Sequence, residues 1–171
     1  MKAESRDTAK TKKDFHKVVI GRSEELSIIG PGISNIPAKS DTGAYRSAIH
    51  ADKISVDKNG TLHFCLLGNH PVCGSMAKEM TTENFTRAKI DNSFGHGEWR
   101  YEVRLRIKLG PKIFTASFTL ADRSKKIYPV LLGRKLLNGR FLVDSEESSL
   151  NRVELKQKYN VIFPIDEEDG R

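Results

Sequence analysis

Between Trp99 and Lys108 the chain alternates without a break. Trp99, Tyr101, Val103, Leu105 and Ile107 occupy the odd positions, and Arg100, Glu102, Arg104, Arg106 and Lys108 the even ones. Only extended backbone, whose side chains point to opposite faces in turn, gathers five apolar groups on one side and five charged groups on the other. The stretch is therefore read as a half-buried strand, and its neighbours follow the same rule. Ile54 and Val56, then Leu62, Phe64 and Leu66, alternate on either side of Asp57-Lys58-Asn59-Gly60, a strong hairpin signal because Asn-Gly accepts the left-handed backbone of a tight turn.

Further strands are expected at 17–22 and 25–29, forming a hairpin around Ser23-Glu24 that Gly30-Pro31-Gly32 closes, and then at 33–40, 85–90, 112–120 and 140–144. Residues 67–84 show no period. A short helix is expected to end at Asn138-Gly139. Many short strands with turns about every ten residues predict an all-β chain closed into a barrel.

Residues 1–15 are polar and aperiodic and are read as a disordered basic arm, 16–145 as the barrel domain, and 146–171 as a C-terminal extension with an acidic end. Within that extension Tyr159-Asn160-Val161-Ile162-Phe163-Pro164 is expected to add a strand. A chain of 171 residues is long enough to bury a core without disulfides or metal, and two cysteines are too few for a secreted disulfide framework. No apolar run reaches membrane-spanning length, and the first seventeen residues, with six Lys or Arg against three acids, lack the apolar centre of a signal peptide. A cytoplasmic protein is the expectation, without membrane association. The formal charge of +7 favours an acidic partner of some kind.

Chemistry concentrates at Lys39-Ser40-Asp41-Thr42-Gly43-Ala44, where a carboxylate, a hydroxyl and a glycine follow one another between apolar flanks. Far downstream, Tyr128-Pro129-Val130-Leu131-Leu132-Gly133-Arg134 is an apolar run ending in glycine. The pair resembles the retroviral-type aspartic proteases, in which an Asp-Thr-Gly-Ala loop is crossed from behind by an apolar-apolar-Gly-Arg segment. With Ser47-Ala48-Ile49-His50-Ala51 and Asn138-Gly139-Arg140-Phe141-Leu142-Val143-Asp144 added, residues 17–145 are similar to a bacterial branch of the retropepsin-like family, historically named ATP-dependent zinc proteases.

The resemblance implies a closed retropepsin-like β-barrel and an aspartic endopeptidase in which Asp41 is the shared acid and base, Thr42 braces the loop and Gly43 leaves room for water and substrate. Leu131, Leu132, Gly133 and Arg134 would support the loop from behind. Ala44 and Arg46 would contact substrate, together with the tip formed by Phe94, Gly95, His96 and Gly97, which is either a substrate-closing flap or an ordinary hairpin loop. Arg46 faces an acidic substrate or only solvent. Lys39, Ser40, Tyr45 and Arg46 depart from the viral pattern.

Metal-free peptide hydrolysis needs one carboxylate to take a proton from water while another supplies one to the carbonyl oxygen, and two carboxyls held close share a proton. With one Asp-Thr-Gly per chain, two chains are required, so a two-fold homodimer is expected. The resemblance implies association with enzymes that ligate glutamate, hence an acidic or poly-glutamate protein tail as substrate. The stripe Arg100, Arg104, Arg106 and Lys108 suits that substrate and equally suits a solvated strand face. A non-catalytic basic β-barrel binding acidic tails or nucleic acid is the alternative. Nucleic acid is disfavoured because only Trp99, Tyr101 and Phe94 offer stacking surfaces near the stripe.

No cofactor is expected. A Gly-Lys-Ser/Thr phosphate loop and a His-Glu-x-x-His run are both missing from the sequence. His63, Cys65, His70 and Cys73 supply four imidazole or thiol ligands in non-standard spacing, against which stands the plainer reading of two buried or idle cysteines, so no metal is assigned.

Overall fold

The computed structural model describes residues 16–91 and 97–160. In chain order its strands are β1 (Val18–Ile20), β2 (Ser23–Ile28), β3 (Ile33–Ser40), β4 (Ser47–Val56), β5 (Leu62–Leu66), β6 (Lys78–Thr82), β7 (Phe85–Asp91), β8 (Gly97–Leu109), β9 (Lys112–Ala121), β10 (Val130–Leu132) and β11 (Phe141–Val143). Helix α1 (Arg134–Leu137) lies between β10 and β11, and α2 (Arg152–Lys158) follows. The basic arm 1–15, the tip residues Phe94, Gly95 and His96, and the cluster from Val161 to Pro164 with the acidic end lie outside the described residues.

Six strands close on themselves in the order β10, β3, β2, β8, β9, β4, because β4 pairs back onto β10 through Ile49 and Ala48. Closure leaves these strands without an unpaired edge, which is why so many short strands are stable together. The protein is thus mostly β, a closed barrel of the retropepsin-like kind with few helices. Inside the barrel Leu26, Ile28, Ile36, Ile49, Ile107, Leu109, Phe118 and Leu132 are fully buried.

The alternation that defined β8 holds over its second half, with Val103, Leu105, Ile107 and Leu109 buried and Arg104, Arg106 and Lys108 exposed. Its first half leaves the barrel and pairs with β7 from Asp91↔Gly97 to Phe85↔Val103. There Trp99 is exposed, and Arg87 lies over the rings of Trp99 and Tyr101 at 5.4 and 6.0 Å. The odd-numbered face therefore splits into a core half and a solvated arm.

The N-terminal hairpin predicted around Ser23-Glu24 does not form. Val18–Ile20 instead runs parallel to Phe141–Val143, and Ser23–Ile28 is one strand between β3 and β8. Gly21 is the reason for the break, since a Cβ there would stand 2.5 Å from the Glu147 carbonyl oxygen, which accepts the Arg22 amide at 2.8 Å. The segment after β11 is pressed along the start of β2. The Ser23 hydroxyl meets Ser148 Oγ at 2.7 Å, and Ser149 N donates to Ser23 O at 3.1 Å.

Helix α2 starts at Asn151, whose side chain caps Glu154 N, and it buries Leu155 against Val72, Ile127 and Tyr128 in a second small core. Tyr159 caps that helix, so the strand expected from residue 159 onward does not begin there.

Candidate active site

β3 delivers its last residue, Ser40, into register with Leu132 of β10, and the chain then turns through Asp41-Thr42-Gly43-Ala44. The Asp41 amide donates to Leu132 O at 2.9 Å, fixing the loop to the strand behind it. One carboxylate oxygen, Oδ1, accepts the amides of Gly43 at 2.9 Å and Ala44 at 3.1 Å. Asp41 therefore has one oxygen pinned to its own loop, while Oδ2 has no hydrogen bond among the described residues. A side chain at position 43 would place its Cβ 3.2 Å from Oδ1, so glycine keeps the carboxylate close to the turn. Thr42 and Gly43 are exposed at the rim, and Ala44 is half-buried.

The loop is held from behind by the start of α1. Arg134 N donates to Ala44 O at 2.8 Å and Lys135 N to Tyr45 O at 2.9 Å. One guanidinium nitrogen of Arg134 reaches Thr42 O at 3.0 Å and Gly43 O at 2.8 Å. Gly133 is squeezed between, where an added Cβ would collide with the Arg46 carbonyl and lie 3.0 Å from Ser47 N. The Gly133 amide donates to the buried Ser47 hydroxyl at 3.0 Å, and Thr119 Oγ1 donates to Ser47 O at 3.2 Å. Leu132 is fully buried and Leu131 half-buried. The structure thus gathers Asp41, Thr42, Gly43, Ala44, Leu132, Gly133 and Arg134 in one place.

Arg46, expected to face substrate or solvent, pairs instead with Glu102 at 2.5 Å, and Lys135 binds the other Glu102 oxygen at 3.3 Å. Glu102 and Lys135 were not singled out from the sequence, because nothing local to residue 102 marks its partner at residue 46. Of the expected tip, Gly97 alone is described, at the start of β8 beside Asp91 and Lys89. Next to the loop, Thr42, Tyr45, Arg134, Leu137, Phe141 and Leu142 line an open groove of about 680 Å³.

The four candidate metal ligands, His63, Cys65, His70 and Cys73, do not converge. His63 bonds Asp57 at 3.0 Å on the surface, a contact that holds the Asp57 carboxyl below its usual range. His70 donates through Nε2 to Lys126 O at 3.0 Å and accepts Val72 N at Nδ1, leaving neither nitrogen for an ion. Burial raises the Cys65 thiol and pushes Cys73 up to about 12, so both stay protonated at neutral pH. Among the described residues no group of three or more His, Cys, Asp or Glu is placed to hold a metal ion.

His70 belongs instead to a buried pair, its ring centroid 5.0 Å from that of His50. His50 donates through Nε2 to Gly68 O and accepts Arg123 N at Nδ1, 2.9 Å away. The two rings tie β4 to the turns on either side of it.

Comparison with known proteins shows the family. The profile of a family described as RimB-like, "Retropepsin-like aspartic endopeptidase RimB", matches residues 19–154. A probable alpha-L-glutamate ligase of Shewanella halifaxensis is 32% identical over 152 residues, 85% of this chain and 33% of the ligase. A probable alpha-L-glutamate ligase of Parasynechococcus marenigrum is 31% identical over 134 residues, 77% of this chain and 29% of the ligase. The chain therefore spans about a third of the length of the curated relatives it matches. Among solved structures, a Legionella pneumophila protein of unknown function superposes with a TM-score of 0.60 and 27% identity, over 77% of this chain and 95% of that one. The chain belongs to the RimB-like family of retropepsin-like aspartic endopeptidases.

Proposed function

We propose that the protein is an aspartic endopeptidase acting as a two-fold homodimer, with Asp41 of each chain meeting its counterpart at the axis. The observation that carries this reading is the loop itself: a carboxylate with one oxygen pinned by two amides and the other unbonded, at a rim where Thr42 and Gly43 are exposed. A single such loop supplies half of an acid–base pair. The exposed apolar side chains of Tyr45 and Leu142 flank the same rim and offer a partner copy something to cover.

In the dimer, the ionised carboxylate takes a proton from water as the water oxygen attacks the scissile carbonyl carbon, and the protonated carboxyl gives its proton to the carbonyl oxygen. The tetrahedral diol then collapses. Its C–N bond breaks, the leaving nitrogen takes the proton that came from water, and the diol hydroxyl returns one to the other carboxylate. Thr42 braces the paired loops, Gly43 leaves space for substrate, and Gly133 with Arg134 holds each loop to its barrel.

The substrate we infer is an acidic or poly-glutamate protein tail. It is supported by the positive charge of the chain and by relatives whose printed names are those of glutamate ligases. No helix among the described residues is long and apolar enough to cross a membrane, and a cytoplasmic site of action fits such a substrate.

The test is hydrolysis of a peptide pool that includes oligo-glutamate, by wild type and by Asp41→Asn, each with and without a chelator. The reading expects cleavage that disappears with Asn and ignores the chelator. Cleavage that survives Asn refutes it, and an intact pool under every condition turns the weight to a non-catalytic basic barrel that binds acidic tails.

A further inference from the structure

Where α1 meets β8 and β9, one residue along the helix from the arginine that clamps the Asp41 loop, three cations surround one small pocket. Arg104, Lys135 and Arg140, with the hydroxyl residues Thr115 and Ser117, line a cavity of about 180 Å³. β8 and β9 put these groups together by register, with Arg104 opposite Ser117 and Arg106 opposite Thr115, so guanidinium and hydroxyl alternate across the two strands. Arg140 is held in place by Phe114, whose ring lies 5.0 Å beneath its guanidinium, and by a 3.2 Å bond to Leu136 O. Arg104 has no acid partner among the described residues.

The protein shows how a carboxylate fits this corner. Glu102, two residues from Arg104 on the same face of β8, is gripped by Arg46 at 2.5 Å and Lys135 at 3.3 Å, and its side chain is only 10% exposed. The grip on Glu102 leaves Arg104 and Arg140 uncompensated. The pocket shares Arg104, Thr115 and Ser117 with a larger open groove that leads toward the turn between β6 and β7, and two carboxylates, Glu102 and Glu83, line that groove, so positive charge is concentrated in the pocket.

We propose that the three-cation pocket is a docking site for a side-chain carboxylate of an extended acidic peptide, distinct from the Asp41 carboxylate itself. The proposal rests on the acidic substrate inferred above and adds where that substrate is recognised. An extended chain laid along the groove places one carboxylate against Arg104 and Arg140, where guanidinium forks and hydroxyl donors match its two oxygens. Stacking surfaces for nucleobases are sparse here. Phe85 is the aromatic residue lining the larger groove, and Trp99 and Tyr101 are already covered by Arg87.

The experiment is fluorescence anisotropy of a labelled decaglutamate peptide with the 171-residue Asp41→Asn protein, in which cleavage is expected to be lost and binding kept. Added to that background, Arg104→Glu is expected to weaken binding by about tenfold or more, and Ser117→Glu, which puts a carboxylate into the pocket, to do the same. Near-UV circular dichroism establishes that both variants keep the fold. Affinity is also expected to fall as salt is raised. The proposal is overturned if decaglutamate does not bind, or if both well-folded variants bind within about twofold of the background protein. It is equally overturned, in favour of nucleic acid, if an oligothymidylate binds more tightly than decaglutamate and is lost with the same substitutions. Binding lost through Arg104 while no peptide is ever cleaved keeps the pocket and removes the peptidase, so the two readings fail separately.

Discussion

Gly133→Ala tests whether the loop is held as described. The backbone at Gly133 has φ −86° and ψ 169°, which alanine adopts freely, so at an open site the replacement would stabilise by about 0.4–1 kcal/mol through the unfolded chain. Here the new Cβ meets backbone, with the Arg46 carbonyl carbon 2.5 Å away and Ser47 N 3.0 Å away, and neither can rotate aside. Overpacking of that kind costs about 1–3 kcal/mol, and losing the bond from Gly133 N to the buried Ser47 hydroxyl adds about 1.

The net expectation is a loss of about 1–3 kcal/mol, or about 3–10 °C in melting temperature for a domain of this length. Because α1 starts at the next residue and grips Ala44 and Tyr45, any peptidase activity should fall further than stability does. Circular-dichroism melting reads the first effect and peptide cleavage the second. Gly30→Ala, at a position where a Cβ would meet nothing within 4 Å, is the control and should melt unchanged or slightly higher. A Gly133→Ala protein that melts at or above wild type would refute the reasoning.

Two other outcomes are expected. Arg134→Ala removes exposed bonds to Thr42 O and Gly43 O, so it should lower kcat/KM at least about tenfold while moving stability by less than about 1 kcal/mol, as melting and peptide kinetics would show. Burial, and secondarily His50, press the His70 ring down to about 4 from 6.5. The unfolded chain therefore takes the proton first. Stability from this ring is complete above about pH 6.5 and declines toward pH 4 by about 3 kcal/mol, a decline that urea titrations at pH 7.5, 5.5 and 4.5 should show and that His70→Gln should flatten.

What could be read from the residues was local, and what could not was remote pairing. Alternation in 99–108 gave the strand and its core face, and Asp57-Lys58-Asn59-Gly60 gave a turn with Gly60 at φ 83°. The loop at Asp41 and the glycine at 133 were legible through the resemblance of their motifs to the retropepsin-like family, and the close backbone approach at Gly133 is visible only in the fold. The N-terminal hairpin was misread because a period of two says which face a residue takes and nothing about its partner. Val18 pairs with Phe141, more than a hundred residues on, and the cause lies in the Glu147 backbone against Gly21.

Residues 67–84 were opaque for a related reason. Leu67 and Asn69 adopt positive φ, 62° and 53°, and a leucine in that conformation carries no sequence signal. Glu102 as the anchor of Arg46 and Lys135, and His50 as the neighbour of His70, are likewise visible only once the strands are wrapped into a barrel.

The measurement that reaches the central claim most directly is cleavage by mixed subunits. Wild-type and Asp41→Asn chains are mixed at fixed total concentration, allowed to exchange, and assayed on the peptide that wild type cleaves. If each active centre takes one Asp41 from each of two chains, activity follows the square of the wild-type fraction, so an equimolar mixture retains about a quarter of the wild-type rate. A linear decline, with about half the rate at equimolar mixing, would mean that each chain works alone and would contradict the shared-acid dimer.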